Sequence, residues 1–313
     1  MKRRGVIAGL MLALAAGVAQ AQPVGADCRV AVQAQLPLSF SRGRASAPVN
    51  LDGQDLQMLV DSGAQRAALT RQMADKLGLP MDSSQSFRAN GVGGSSLPEN
   101  PRLVGQMRFG PVVWPRYAIS TVNGLPPPGP GDPLAPVGIV GADMMSSFDV
   151  ELDFPARVMR LYSVTGCVGP VVPNRGGYEA LITLDAPRNL FIVEVALNGR
   201  KIRALLDTGA NASSLSRTAA RSVGVDAAML KADPAGSATG IQGVPVVSHR
   251  HRFASLIVGS TTFAGPQIAV QDSDFGAFDM LLGMDYLRTR SLWLSYATGQ
   301  VFIRAGGPRP PPP

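Results

Sequence analysis

Two short segments of this sequence place a carboxylate where a carboxylate is costly. Asp61 follows Leu59 and Val60 and precedes Ser62 and Gly63; Asp207 follows Leu205 and Leu206 and precedes Thr208 and Gly209. Burial at the end of an apolar strand raises a carboxyl pKa, and a second carboxylate beside it raises the uptake of the first proton further. Such a pair holds one proton between two residues over a broad acidic to near-neutral range. It can bind a water, deprotonate it with one carboxylate and protonate a carbonyl oxygen with the other. An amide is a suitable target, because its carbon needs an activated nucleophile and its nitrogen needs a proton before leaving. The proton belongs to the pair, so acid and base roles are not fixed to one residue. Gly63 and Gly209 would let backbone N–H groups approach the carboxylates. Ser62 and Thr208 offer hydroxyls that could bond across to the opposite loop. One such triplet alone is more often a structural turn.

The elements around the triplets repeat. Each Asp ends a strand–turn–strand pattern whose turn glycine, Gly53 or Gly199, lies eight residues earlier, and the offset between the copies is 146 residues. Leu69 and Thr70 correspond to Leu215 and Ser216, and Leu77-Gly78-Leu79 to Val223-Gly224-Val225. Short helices are expected over residues 71–77 and 217–223, with Thr70 and Ser216 as N-caps. Glycine-rich turns, Gly91-Val92-Gly93-Gly94 and Gly240-Ile241-Gln242-Gly243, follow each Asp by about thirty residues. Further on, an apolar strand meets Gly141 or Gly283, after which Asp143 or Asp285 is expected to cap a short helix. Alternating strands are expected over residues 148–154 and 292–296. Four matches in one order imply duplication, and with it a pair of equivalent acids.

Composition agrees with this organisation. In 313 residues there are 35 glycines and 26 prolines against 6% aromatics, which favours short strands joined by turns. Lys2, Arg3 and Arg4, the apolar run from Gly5 to Gly17 and Ala19-Gln20-Ala21 read as a secretory signal peptide cleaved after Ala21, with an uncleaved anchor as the alternative. Removing three positive charges takes the formal net charge from +7 to +4, a mild bias with no dense basic stripe for nucleic acid. Cys28 and Cys167 suggest one disulfide in an oxidising compartment; two free thiols are the alternative. The division is residues 1–21 signal peptide, 22–44 N-terminal segment, 45–168 first lobe, 169–177 connector, 178–306 second lobe and 307–313 proline-rich tail. The N-terminal segment could serve as a small pro-segment or as an added outer strand.

The triplets, the alanine that follows each, and the later apolar-apolar-glycine before a short helix resemble the pepsin/retropepsin superfamily of aspartic peptidases. The likeness is nearest to its bacterial retropepsin-like branch, here as a tandem copy in one chain. The resemblance implies a mostly β, bilobal acid-protease fold with two homologous β-barrel-like lobes and short helices. It also implies that Asp61 and Asp207 are the catalytic dyad, supported by Ser62, Gly63, Thr208 and Gly209. Gly91, Val92, Gly93, Gly94, Gly240, Ile241, Gln242 and Gly243 would be flap tips closing over a peptide or protein substrate. The sequence departs from the family at Gln65 and Asn211, where many retroviral members carry Asp. It departs again at Ala142 and Met284, where they carry Arg, and neither flap tip has a Tyr.

Other candidates carry less. His249 and His251 alternate about Arg250, a spacing a metal could use, but loop or surface histidines are the simpler reading. Glu99, Asp132, Asp272, Asp274 and Asp279 lie in turn-rich sequence, and residues 272–279 could line a substrate loop. Trp114 and Trp293 suit cores or subsites. No phosphate-binding glycine loop or Ser-His-Asp set is present, so no cofactor and no metal are expected. The expected function is an aspartic endopeptidase, with a non-catalytic peptide-binding scaffold as the alternative. A narrow processing enzyme that needs a partner or an activation step is a further possibility. A complete pair in one chain favours a monomer, in the periplasm or secreted beyond it.

Overall fold

The computed structural model describes residues 28–305 apart from 89, 92, 93, 96, 168, 170, 173–175, 241 and 242. The expected signal peptide and the proline-rich tail lie outside the described residues, as do Val92, Gly93, Ile241 and Gln242 of the expected flap tips. The chain is mostly β with short helices.

In the first half, Arg44–Leu51 and Gln54–Val60 form a hairpin. Its turn, Asp52 and Gly53, has positive φ at both residues, the backbone twist that matches paired strands. Ala45, Ala47, Val49 and Leu51 alternate into the core. Gln54–Val60 then pairs in parallel with Gly138–Val140, which pairs with Ala68–Thr70, followed by Val112–Val122 and Arg102–Phe109. Contact of Arg102–Phe109 with Arg44–Leu51 closes this ring of six strands.

The second half repeats the plan. Ile192–Leu197 and Arg200–Leu206 turn at Asn198 and Gly199, again both at positive φ. Arg200–Leu206 runs parallel to Met280–Leu282, which pairs with Ser214–Ser216. The sheet does not close as the first one does, contrary to the expectation of two barrel-like lobes. Where the first half has two strands, the second has four: Pro245–Arg252, Ser255–Val258, Thr261–Ala264 and Gln267–Gln271. The breaks fall at Phe253-Ala254 and Gly265-Pro266. Gly265 is at positive φ, and Pro266 has no N–H to give a ladder.

A six-stranded sheet joins the halves. Asp149–Asp153 pairs antiparallel with Arg290–Ser295, Val150 opposite Leu294 and Leu152 opposite Leu292. Val158–Thr165 and Gln300–Ala305 flank them. Arg29–Pro37 adds an outer strand on Val158–Thr165, and Cys28 and Cys167 form a disulfide beside the Arg29–Thr165 pairing. One hydrophobic core runs through both halves, from Val60 and Leu69 to Leu206 and Leu215. Trp293 is wholly buried against Tyr162, and Trp114 packs on Tyr117. Among the described residues no helix is long and apolar enough to cross a membrane.

The helices Arg71–Lys76 and Arg217–Ser222 form where the repeat places them. The hydroxyls of Thr70 and Ser216 accept from the N–H groups of Met73 and Ala219. The later helices, Ala142–Met145 and Met284–Leu287, differ from expectation. Gly141 and Gly283 occupy the N-cap positions, and neither Asp143 nor Asp285 is the cap. Both acids sit in the first helical turn with another use.

Candidate active site

Asp61 and Asp207 each emerge from the C-terminal end of the second hairpin strand of their half. The N–H of Asp61 donates to the Val140 carbonyl and that of Asp207 to the Leu282 carbonyl, both at 3.1 Å. The parallel pairing of an apolar strand with its neighbour therefore fixes where each acid leaves the sheet.

Between the two loops runs a reciprocal lattice. The Thr208 hydroxyl donates to the Val60 carbonyl at 2.6 Å and accepts from the Ser62 N–H at 3.0 Å. The Ser62 hydroxyl donates to the Leu206 carbonyl at 2.6 Å and accepts from the Thr208 N–H at 3.2 Å. Ser62 and Thr208 are both 0% exposed, so these bonds form without competition from bulk water. Each hydroxyl thus ties the strand end before one Asp to the loop after the other.

The glycines allow the close approach. A methyl placed on Gly63 would lie 2.7 Å from the Asp207 carboxyl carbon, and one on Gly209 would overlap the Asp61 carboxyl. Each acid is therefore cradled by the glycine of the opposite triplet. The Gly63 N–H donates to Asp61 Oδ1 at 2.9 Å, and the N–H groups of Gly209 and Ala210 both donate to Asp207 Oδ1 at 2.9 Å.

Burial pushes both carboxyls above their ordinary pKa range. For Asp61 the negative charge of Asp207 adds to the rise. For Asp207 the donors from Ala210 and Gly209, the hydrogen bond with Asp61 and the charge of Arg44 oppose it. Both acids are thus biased toward holding a proton, and a proton held here belongs to the pair. Arg44, half-buried on the strand Arg44–Leu51, is itself pulled below its usual value by burial, against the attraction of Asp61.

A cleft of about 1130 Å³ opens over the pair, walled by both halves. Leu59, Val122, Leu125 and Ile139 face it from the first half, and Leu205, Phe275, Phe278 and Leu281 from the second. Of the expected flap tips, Asn90–Gly91 and Gly94–Ser95 pair as a small hairpin, with Gly91 opposite Gly94. In the second half Ala235–Thr239 and Pro245–Arg252 pair as a hairpin, Gly243 donates to the Gly240 carbonyl, and Gly240 lines the cleft.

Asp143 and Asp285, expected as helix caps, instead brace the loops that follow the two acids. Asp143 Oδ1 accepts from the Ala67 N–H at 2.8 Å while the Tyr117 hydroxyl donates to its other oxygen at 2.6 Å. Asp285 Oδ1 accepts from the N–H and hydroxyl of Ser213. Gly141 and Gly283 are needed beside them because a side chain there would strike the backbone of Arg66 or Ala212. The repeated Gly-x-Asp spacing was the sequence signal of this bracing.

The remaining candidates disperse. His251 Nδ1 lies 2.6 Å from Asp233 Oδ2 and its ring meets Phe253 edge-on. Among the described residues, no three His, Cys, Asp or Glu residues sit together as a metal would require. Glu99 and Asp274 line the cleft, but Glu99 is held by Arg71 and Thr121. Asp132 accepts from Ser41 and pairs with Arg42, Asp272 pairs with Arg217, and Asp279 accepts from the Arg203 N–H.

Comparison with known families agrees with the duplication. Residues 47–144 match the family model described as aspartyl protease, and residues 193–289 match that of the gag-polyprotein putative aspartyl protease. The first match contains Asp61 and the second Asp207, so each half carries its own aspartyl protease match, consistent with the pepsin/retropepsin superfamily. A search of curated proteins finds no match to the chain.

Proposed function

We propose that this chain is an aspartic endopeptidase that hydrolyses peptide bonds with a water activated by Asp61 and Asp207. The observation that carries the reading is the reciprocal cradle, in which each acid lies against the glycine of the opposite triplet at the floor of a cleft. The two aspartyl protease matches, one per half, support it.

The chemistry follows from one proton shared by two carboxyls. Taking the shared proton on Asp61 (the mirror assignment is equivalent), Asp207 takes a proton from a water as the water oxygen attacks the peptide carbon. Asp61 gives its proton to the carbonyl oxygen, leaving a neutral tetrahedral diol. The proton on Asp207 then passes to the nitrogen, one diol hydroxyl returns a proton to Asp61, and the C–N bond breaks to acid and amine. The pair ends the cycle with one proton, as it began.

Within the superfamily we assign the chain to the bacterial retropepsin-like branch, as a tandem copy that completes its site as a monomer. Export to the periplasm or beyond is part of the proposal, supported by the Cys28–Cys167 disulfide. The test is cleavage of a diverse peptide library at acidic and neutral pH by the wild type, Asp61→Asn and Asp207→Asn. The reading requires cleavage by the wild type and its loss in both folded variants. Persistent cleavage in either variant, or none by the wild type, would sink it.

A further inference from the structure

The two walls of the cleft are built from equivalent positions, and they differ in chemistry at two of them. In the first half Leu59, Ala68, Val122 and Ile139 form one apolar cluster with Leu125. Strand register identifies their counterparts. Leu59 pairs with Ile139 and Ala68 also pairs with Ile139; Leu205 pairs with Leu281 and Ser214 also pairs with Leu281. Thr70 pairs with Val122 as Ser216 pairs with Gln271. Leu205 and Leu281 therefore keep the apolar character of Leu59 and Ile139, while Ser214 replaces Ala68 and Gln271 replaces Val122.

The replacements are buried and unsatisfied. Ser214 is 2% and Gln271 4% exposed, and neither Ser214 Oγ nor Gln271 Oε1 has a hydrogen-bond partner among the described residues. Strand alternation turns them toward the cleft: Leu215 and Val270, their neighbours in sequence, belong to the main core, so Ser214 and Gln271 occupy the opposite face. Both residues line the cleft. Native interiors hold few unpaired polar atoms, and each one opposes folding. Two on the wall of a binding cleft, absent from the twin wall, match a ligand that supplies the missing partners.

The geometry points to a subsite in the second half of the cleft that takes a substrate residue with a side-chain carboxamide, Asn or Gln. The first half takes an aliphatic residue. This rests on the peptidase reading and adds to it a substrate preference. A carboxamide presents a donor to Gln271 Oε1 and Ser214 Oγ and an acceptor in return, which Leu does not. A cationic side chain offers donors but no acceptor, so it leaves the Ser214 hydroxyl and the Gln271 amide without a return bond; Arg250, on the strand paired with Gln271, lines the same wall.

The experiment uses peptides with Leu on both sides of the scissile bond, replaced by the nearly isosteric Asn on one side at a time. Wild type is compared with Ser214→Ala/Gln271→Val, which copies the residues of the first half and so suits the local packing; Ser214→Ala alone is the second variant. At one of the two positions the wild type should prefer Asn. There the double variant should shift the Asn-to-Leu ratio of kcat/KM roughly 100-fold toward Leu, about tenfold for each hydrogen bond lost, and the single variant about tenfold. The ratio at the other position should hold. Unchanged ratios at both positions would overturn the inference. The same ratios read as peptide affinities on Asp207→Asn, with and without the wall substitutions, separate the two claims. Binding that prefers Asn without any wild-type cleavage overturns the peptidase reading alone. Cleavage without the shift overturns this one alone.

Discussion

Thr208→Val removes one hydroxyl from the lattice between the triplets and keeps the shape of the side chain. Thr208 donates to the Val60 carbonyl and accepts from the Ser62 N–H, at 2.6 and 3.0 Å, in a fully buried position. Valine leaves both backbone groups unpaired where water does not reach them. At about 1–3 kcal/mol for each buried orphan, the loss is about 2–6 kcal/mol. A chain of this size loses about 2–4 °C of Tm per kcal/mol, so calorimetry should show a fall on the order of 5–20 °C. Thr208→Ser retains the hydroxyl and should melt within about 3 °C of wild type, losing only a buried methyl. Because the lattice also sets the position of both acids, Thr208→Val should lower kcat at least roughly tenfold at temperatures where it is folded. Ser62→Ala removes the reciprocal hydroxyl, and the double variant should fall short of additivity by at least about 1 kcal/mol, since both act on one lattice. A Thr208→Val protein that melts within 2 °C of wild type with unchanged kcat would refute the account, as would strict additivity.

Three more expectations follow from the same structure. Burial raises both carboxyl pKa values, so the folded pair keeps protons that the unfolded chain has released. Stability is then lost as pH rises from the ordinary carboxylate range through the folded values. Asp61→Asn should therefore raise Tm at pH 7 and lose that advantage as pH falls toward 3; a gap independent of pH would count against the raised values. Gly209→Ala puts a methyl into the Asp61 carboxyl and should reduce kcat/KM by at least about 100-fold, whereas activity near wild type would mean the cradle is looser than described. Reduction, or Cys28→Ser, opens a bridge spanning 139 residues, which chain entropy values at about 5 kcal/mol. Tm should drop while kcat of the folded fraction holds, because the bridge lies on the outer strand away from the cleft; a simultaneous loss of kcat would tie that strand to the site.

The features legible in the sequence are those that depend on neighbours along the chain. The apolar strand before each Asp, the turn glycines Gly53 and Gly199, the Thr70 and Ser216 caps and the duplication all rest on patterns of a few residues. Such patterns survive wherever the segment packs. Tertiary structure decided what depends on partners far apart in sequence. Asp149–Asp153 and Arg290–Ser295 read as ordinary alternating strands, and only their mutual pairing makes them the seam of the molecule. Asp143 and Asp285 carried the local mark of a cap, but a carboxylate turns to whichever unpaired N–H lies nearest, here those of Ala67 and Ser213. That the first sheet closes while the second does not is decided by which strands pair, which no local pattern states. Ser214 and Gln271 are ordinary polar residues in sequence; their burial without partners is a property of the assembled wall alone.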